Sequence, residues 1–171
     1  MIIKNKYYFS EGILLKDLNV NNVINAFKNR LNKWYFDPID ELNQKKLGFA
    51  ATALLTSVID ILAKTEKHDL TTNNNKNRYI TWIEEKLNFS EEEAEKFYEY
   101  FRCGLLHAGC IEGGGYIDYK QDNLYEISKG SIFINPNKLC EKLYKIFRNF
   151  LDKENPEELY KYLKGKLEEI K

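Results

Sequence analysis

The chain has 171 residues, of which 43% are hydrophobic and 30% are charged, with nine glycines and three prolines. This composition is typical of one folded domain with a buried core, and it excludes intrinsic disorder and collagen-like sequence. Lysine plus arginine and aspartate plus glutamate each number 26. The chain therefore lacks the overall excess of basic residues that is typical of nucleic-acid binders, but this balance does not exclude a local basic cleft.

Helical periodicity predicts a bundle over the first two thirds of the chain. Apolar residues at helical spacing favour a helix over residues 21–34, and residues 45–64 are apolar enough to form the central helix. A third helix is predicted over residues 76–87. A fourth begins at the capping box formed by Ser90 and Glu93 and reaches at least His107.

The central helix carries one polar line, four residues apart each time: Thr52, Thr56, Asp60 and Lys64. We interpret this line as an exposed stripe of an amphipathic helix. In the alternative interpretation, Asp60 with Thr52 and Thr56 lines a cleft and orients Arg102 or His107.

The sequence changes character at Gly113-Gly114-Gly115. Short β-rich runs at residues 116–119, 124–127 and 132–134 predict a small hairpin or three-stranded flap. Two further helices are predicted, over residues 138–151 after an Asn135 cap and over residues 157–170 after Pro156. The fold class is therefore all-α, with a core over residues 21–110, a β insertion over 113–134 and C-terminal helices over 137–170, all in one domain.

The fourth helix has an apolar stripe that is expected to face the core, formed by Ala94, Phe97, Tyr98, Phe101, Leu105 and Ala108. Arg102 and His107 flank this stripe, about 140° apart around an α-helix. Glu99, Cys103 and Leu106 lie between them on the opposite side, which predicts contact with a second copy of the chain. In an undistorted α-helix, Arg102 and His107 of one chain do not converge on one small group.

The string Phe101-Arg102-Cys103-Gly104-Leu105-Leu106-His107 resembles the signature of the HEPN (higher eukaryotes and prokaryotes nucleotide-binding) superfamily. That signature is an arginine, four to six arbitrary residues and a histidine, late on a helix of a small bundle. The surrounding sequence is also similar, with an apolar helix ending in Ile59-Asp60, the run Phe97-Tyr98-Glu99, and Leu-Leu-His-Ala-Gly around His107. The resemblance covers residues 21 to about 110 and implies an up-and-down HEPN-like helical bundle.

The resemblance implies a metal-independent endoribonuclease that works as a homodimer without a cofactor. His107 would act as general base on a ribose 2′-OH or as general acid toward the leaving oxygen. Arg102 would hold the phosphate and stabilise charge in the transition state. Asp60, Glu99 and Cys103 are the expected supporting residues. RNA is the expected substrate, and an antitoxin-like or effector protein is a candidate partner.

Two positions depart from the HEPN pattern. Cys103 stands where many active relatives have a polar residue, and Gly109 stands where toxin-type relatives often have tyrosine. The alternative is therefore a non-catalytic HEPN-like homodimer that binds a protein or a nucleotide.

The cysteines leave two further alternatives open. Cys103, His107 and Cys110 are spaced as ligands on one helix face, with Cys140 as a fourth candidate for a zinc site. A Cys103–His107 nucleophilic pair is the other alternative. We favour neither of these and expect no metal ligands.

Three cysteines without a Cys-x-x-Cys pair fit a reducing compartment, and the N-terminus lacks the apolar stretch of a signal peptide. The longest apolar stretch, residues 48–63, is shorter than the about 20 residues of a membrane span and contains Asp60. A cytoplasmic protein without membrane contact is expected.

Overall fold

The computed structural model describes residues 2–3, 6–70 and 74–168, and most of these residues are helical. Residues 169–170, at the end of the predicted last helix, lie outside them. The strands are β1 (Ile2–Ile3), β2 (Lys6–Ser10), β3 (Ile13–Leu14), β4 (Gly115–Ile117), β5 (Tyr125–Ser128) and β6 (Ser131–Ile134). The helices are α1 (Val23–Leu31), α2 (Asp37–Gln44), α3 (Gly48–Thr65), α4 (Asn75–Leu87), α5 (Glu91–Phe97), α6 (Pro136–Leu151) and α7 (Pro156–Glu168).

Helix α3 lies at the centre of the helical layer, as its apolar sequence predicts. It packs against α2, α4 and α6, and Leu55, Val58, Ile59 and Leu62 are fully buried on it. By length and composition alone it could also cross a membrane. In the structure 56% of its residues are buried, which is equally typical of the core helix of a soluble protein.

The first predicted helix does not end at Trp34. Helix α1 continues through the π-helical segment Asn32–Phe36 directly into α2, with helical backbone angles at both junctions. Pro38 lies in the first turn of α2. A proline lacks the N–H that an α-helix requires and crowds the preceding turn, so a wider π turn immediately before it is a common solution.

The N-terminal strands correct the expectation of an all-α fold with a single β insertion. Strands β1, β2 and β3 form an antiparallel sheet in that order. Gly12, in the turn between β2 and β3, has a φ of +76°, a conformation that glycine adopts without strain. Phe9 packs from this sheet into the core, and the Arg30 guanidinium donates a hydrogen bond of 2.7 Å to its carbonyl oxygen. The chain is mostly helical with two small sheets.

The second sheet lies in the predicted β insertion and has three strands in the order β4-β6-β5. Strands β5 and β6 form an antiparallel hairpin, while β4 runs parallel to β6. Lys129 and Gly130 both have positive φ, as a two-residue type I′ turn requires. Ile132 and Ile134 of β6 are fully buried and join this sheet to the helical core.

Candidate functional site: the Asp60–Arg102–His107 cluster

A second π-helical segment, Tyr98–Ala108, follows α5 without interruption and contains both residues of the motif. In this segment Nη1 of Arg102 lies 2.9 Å from Nε2 of His107. A π-helix bonds each N–H to the carbonyl five residues back, so the residue five positions on lies nearly above the first. The divergence expected for an undistorted α-helix therefore does not apply, because this segment is π-helical.

The contact between Arg102 and His107 is a hydrogen bond in only one tautomer of the imidazole. A guanidinium has only donors, so Nε2 of His107 must accept. An imidazole that accepts at Nε2 carries its proton on Nδ1 and is neutral. His107 is exposed, so this lone pair lies at the protein surface beside a cation.

Gly104 allows the chain to fold back over the end of the π segment. A Cβ atom at Gly104 would lie 2.5 Å from the carbonyl oxygen of Cys110 and 3.0 Å from the backbone nitrogen of Glu112. The returning segment, residues 110–112, is held by hydrogen bonds from Cys110 N to Gly104 O (3.2 Å) and from Glu112 N to Tyr100 O (3.1 Å). Gly109, with a φ of +69°, makes the turn between the π segment and this returning segment. Glycine at position 104 therefore permits the close approach of residues 110–112.

Asp60 of α3 holds the other edge of the Arg102 guanidinium. Its Oδ2 accepts from Nε of Arg102 at 3.3 Å and from Nη2 at 3.2 Å. The two side chains are 19% and 20% exposed, so the pair is largely desolvated. Burial lowers the pKa of Arg102, but Asp60 and Tyr98 more than compensate, and the net pKa is raised. Arg102 is therefore a fixed cation whose Nη1 faces His107.

The interpretation of the polar line on α3 as an exposed stripe is wrong. Thr52 and Thr56 are fully buried, and Thr56 Oγ1 donates to the Ala53 carbonyl at 2.9 Å. This bond satisfies the hydroxyl of Thr56 within its own helix, whereas the buried Oγ1 of Thr52 has no hydrogen-bond partner among the described contacts. Among the described contacts of these four residues, Asp60 bonds to Arg102. This supports the alternative interpretation for Asp60, in which it orients Arg102, but not for Thr52 and Thr56.

Two tyrosines complete the surroundings of Arg102, and the sequence analysis did not single them out as site residues. The guanidinium carbon of Arg102 lies 5.5 Å from the ring centre of Tyr98. The Tyr98 ring packs edge-on against the buried ring of Tyr79, with 5.2 Å between ring centres. Burial raises the pKa of both phenols. The signal available was the i, i+4 spacing of Tyr98 and Arg102, which places an aromatic beneath a cation.

The remaining predicted residues lie beside this cluster without direct bonds to His107 among the described contacts. Glu99 accepts from Lys76 at 3.3 Å. Cys103 is partly exposed and close enough to Tyr98 and Arg102 to influence their pKa values. Leu106 is 42% exposed, so the expected contact face does carry an apolar side chain at the surface.

The geometry of the described residues does not favour a cysteine-based zinc site. The ligand atoms of Cys103, His107 and Cys110 do not come together as a group there. Cys140 lies elsewhere, on α6, in a cavity of about 330 Å³ between α2 and α6. Burial raises the pKa of its thiol to about 12, with Asp40 and Glu141 adding to the shift.

Comparison of the chain with models of known protein families, with curated proteins and with solved structures finds no match. The relation to the HEPN superfamily is thus a resemblance of motif, carried by residues 59–60 and 97–109.

Proposed function

We propose that the chain is a metal-independent endoribonuclease of the HEPN type, acting in the cytoplasm, with Arg102 and His107 as its catalytic residues. The observation that carries this proposal is the contact of 2.9 Å between the two side chains, at the protein surface, within one chain. In an ordinary exposed α-helix the two side chains would not meet, so the contact depends on the π-helical geometry of this segment.

The neutral imidazole is the form that general-base catalysis requires. When a phosphate of RNA takes the Nη1 donors of Arg102, Nε2 of His107 loses its partner and becomes available to the 2′-OH. The 2′-oxygen then bonds to the adjacent phosphorus, and the bond from phosphorus to the 5′-oxygen breaks. The 2′-OH proton passes to His107, which returns it to the leaving oxygen. The products are a 2′,3′-cyclic phosphate and a 5′-OH.

Asp60 is proposed as a positioning residue. By binding Nε and Nη2 of Arg102 through one carboxylate oxygen, it leaves Nη1 directed at His107 and at an incoming phosphate. The ring of Tyr98 supports the same guanidinium from another side. Such a fixed donor needs little reorganisation when charge develops on the phosphate oxygens.

A homodimer through the face of Glu99, Cys103 and Leu106 is part of the proposal, because an exposed leucine beside the motif gains from cover. Each chain carries its own Arg102–His107 pair, so dimerisation is not needed to bring the two residues together. The dimer would place two such pairs along one RNA-binding surface.

The test is cleavage of labelled RNA by wild type and by the variants Arg102→Ala and His107→Ala. Arg148→Ala is the control, because it also removes an arginine, from the exposed face of α6. We expect the first two variants to be at least 100-fold slower and Arg148→Ala to be unchanged. A substrate with 2′-H at the cleavage position should resist, because it lacks the nucleophile. Equal activity of wild type and His107→Ala would refute the proposal. RNA that stays intact with every protein would favour the non-catalytic HEPN-like module.

Mixing the two inactive variants distinguishes a site within one chain from a site shared by two. Arg102→Ala and His107→Ala chains, unfolded together and refolded, form mixed dimers. If the pair works within one chain, the mixture stays inactive. Recovery of about a quarter of wild-type activity would mean that arginine and histidine from different chains act together, with one intact site in each mixed dimer.

A further inference from the structure

Three ligand-type side chains meet on the side of the bundle where α3 ends and α7 begins. Nε2 of His68 lies 2.8 Å from Oε1 of Glu154, and its Nδ1 lies 3.9 Å from Oε2 of Glu158. One potential ligand atom from each residue lies within 4.8 Å of the other two. His68 therefore contacts two carboxylates that precede and begin α7.

The backbone around His68 shows why its side chain points inward. His68 N bonds to Thr65 O at 3.0 Å and Asp69 N bonds to Lys64 O at 3.1 Å, the paired bonds of a Schellman motif at the end of α3. His68 occupies the left-handed position of that motif with a φ of +45°. Glycine is the usual residue there, because a side chain costs about 1 kcal/mol in this conformation. A histidine thus occupies a position where glycine would suit the backbone better.

The two carboxylates are held by the beginning of α7. Between them, Asn155 Oδ1 accepts from the backbone N–H groups of Glu157 (2.8 Å) and Glu158 (3.3 Å), which fixes the first helical turn. The Glu154 side chain is only 8% exposed, while His68 is 27% and Glu158 64% exposed. A nearly buried carboxylate and a second, exposed carboxylate therefore face the same imidazole.

We propose that His68, Glu154 and Glu158 bind a divalent first-row transition metal ion of the zinc class. One imidazole nitrogen with two carboxylate oxygens is a mixed donor set that suits such ions better than Mg²⁺ or Ca²⁺, which prefer oxygen alone. Two carboxylates also balance the charge of the ion. Bond lengths of about 2.0–2.2 Å at a tetrahedral angle put two ligand atoms roughly 3.4 Å apart, so Nε2 and Oε1 must separate by about 0.6 Å. Oε2 of Glu158, which lies 3.9 Å from Nδ1, must also move toward the ring nitrogen that binds the ion. The exposed side, at Glu158, leaves room for water as a further ligand.

The proposed metal site is separate from the Arg102–His107 pair and does not depend on the proposed ribonuclease function. None of its three residues contacts Arg102 or His107 among the described hydrogen bonds and ion pairs. Its role is structural, joining the end of α3 to the beginning of α7.

The test measures binding of Zn²⁺ and Co²⁺ to the chelator-treated full chain by calorimetry and thermal unfolding. We expect one ion per chain and a rise in Tm of about 5–10 °C at a free Zn²⁺ concentration 100-fold above Kd. Co²⁺ should give visible absorption without the near-ultraviolet charge transfer of a thiolate ligand. No binding at 100-fold molar excess, or a Tm that Zn²⁺ leaves unchanged, overturns the proposal.

His68→Gly is the decisive variant, since it removes a ligand while relieving the left-handed backbone. The relief of the left-handed backbone offsets the loss of the hydrogen bond to Glu154, so the variant should still fold, and it should lose at least 100-fold in Zn²⁺ affinity. Glu157→Gln, an adjacent exposed carboxylate outside the cluster, should bind like wild type. If His68→Gly still binds one Zn²⁺ per chain with wild-type affinity, the proposal is wrong. If Cys103→Ser with Cys110→Ser abolishes binding instead, the ion belongs to a cysteine site.

Discussion

Gly104→Ala is the substitution that most directly probes the geometry of the π segment. In an exposed α-helix, replacing glycine by alanine stabilises by about 1 kcal/mol, because glycine loses more backbone entropy on folding. At position 104 the added Cβ would lie 2.5 Å from the carbonyl oxygen of Cys110 and 3.0 Å from the nitrogen of Glu112. Both are backbone atoms, so the returning segment itself must move.

The same change at Gly165, within α7, supplies the matched control. Its Cβ would lie 3.2 Å from Cδ1 of Leu70, the end of a partly exposed side chain that can shift. Overpacking of the kind expected at Gly104 costs typically 1–3 kcal/mol. For a chain of this length, 1 kcal/mol corresponds to a change in Tm of about 2–4 °C. Gly104→Ala should therefore lower Tm by about 2–12 °C, while Gly165→Ala should raise it by about 2–4 °C.

Differential scanning calorimetry of the two variants and wild type measures these shifts. Opposite signs are the expected outcome, because the two sites differ in what the new methyl group meets and not in the substitution. If both variants gain stability equally, no backbone lies over Gly104, and the fold-back of residues 109–112 over the π segment is wrong.

Two further predictions concern ionisation and tautomers. The buried thiol of Cys140, with a pKa of about 12, should be alkylated far more slowly at pH 8 than the exposed Cys110, and its rate should still rise about tenfold per pH unit between pH 8 and 11. Mass spectrometry of labelled peptides measures the alkylation rate of each cysteine. An alkylation rate of Cys140 that levels off near pH 9 would contradict its burial. In ¹⁵N-detected NMR, neutral His107 should carry its proton on Nδ1, and Arg102→Ala should shift the population toward the Nε2–H tautomer. Equal tautomer populations in both proteins would refute the hydrogen bond from Arg102.

Local signals in the sequence predicted local structure well. The Ser90–Glu93 capping box forms with both of its hydrogen bonds, and the Asn135 side chain caps α6 as expected. These motifs depend on residues three or fewer positions apart, so their geometry is contained in the sequence. The three-stranded sheet after Gly113 follows from turn residues and β-branched runs in the same way.

The N-terminal sheet was missed although a signal existed. The β-rich run in β2, followed by Glu11-Gly12 and a second apolar run, is typical of a hairpin with a two-residue turn. The burial of Thr52 and Thr56 had no comparable signal. A threonine can satisfy its hydroxyl within its own helix, so only the neighbouring elements determine whether it faces the core or solvent.

The π geometry could not be predicted from residues 98–108, because their pattern fits an α-helix as well. What selects the wider turn is tertiary. The returning segment over Gly104 bonds to carbonyls of Tyr100 and Gly104 itself, so those carbonyls are satisfied from outside the helix.

The π segment accounts for how a motif with only four residues between arginine and histidine brings both side chains together. With four residues between arginine and histidine, an α-helix turns the two side chains about 140° apart, whereas π bonding stacks them. The chain carries Arg102 and His107 at this spacing, a glycine between them that admits the returning segment, and Asp60 on the adjacent helix to hold the arginine. Each of these features alone occurs in ordinary helical proteins. Together they bring the guanidinium and the imidazole into contact at 2.9 Å, and the proposed function rests on this contact.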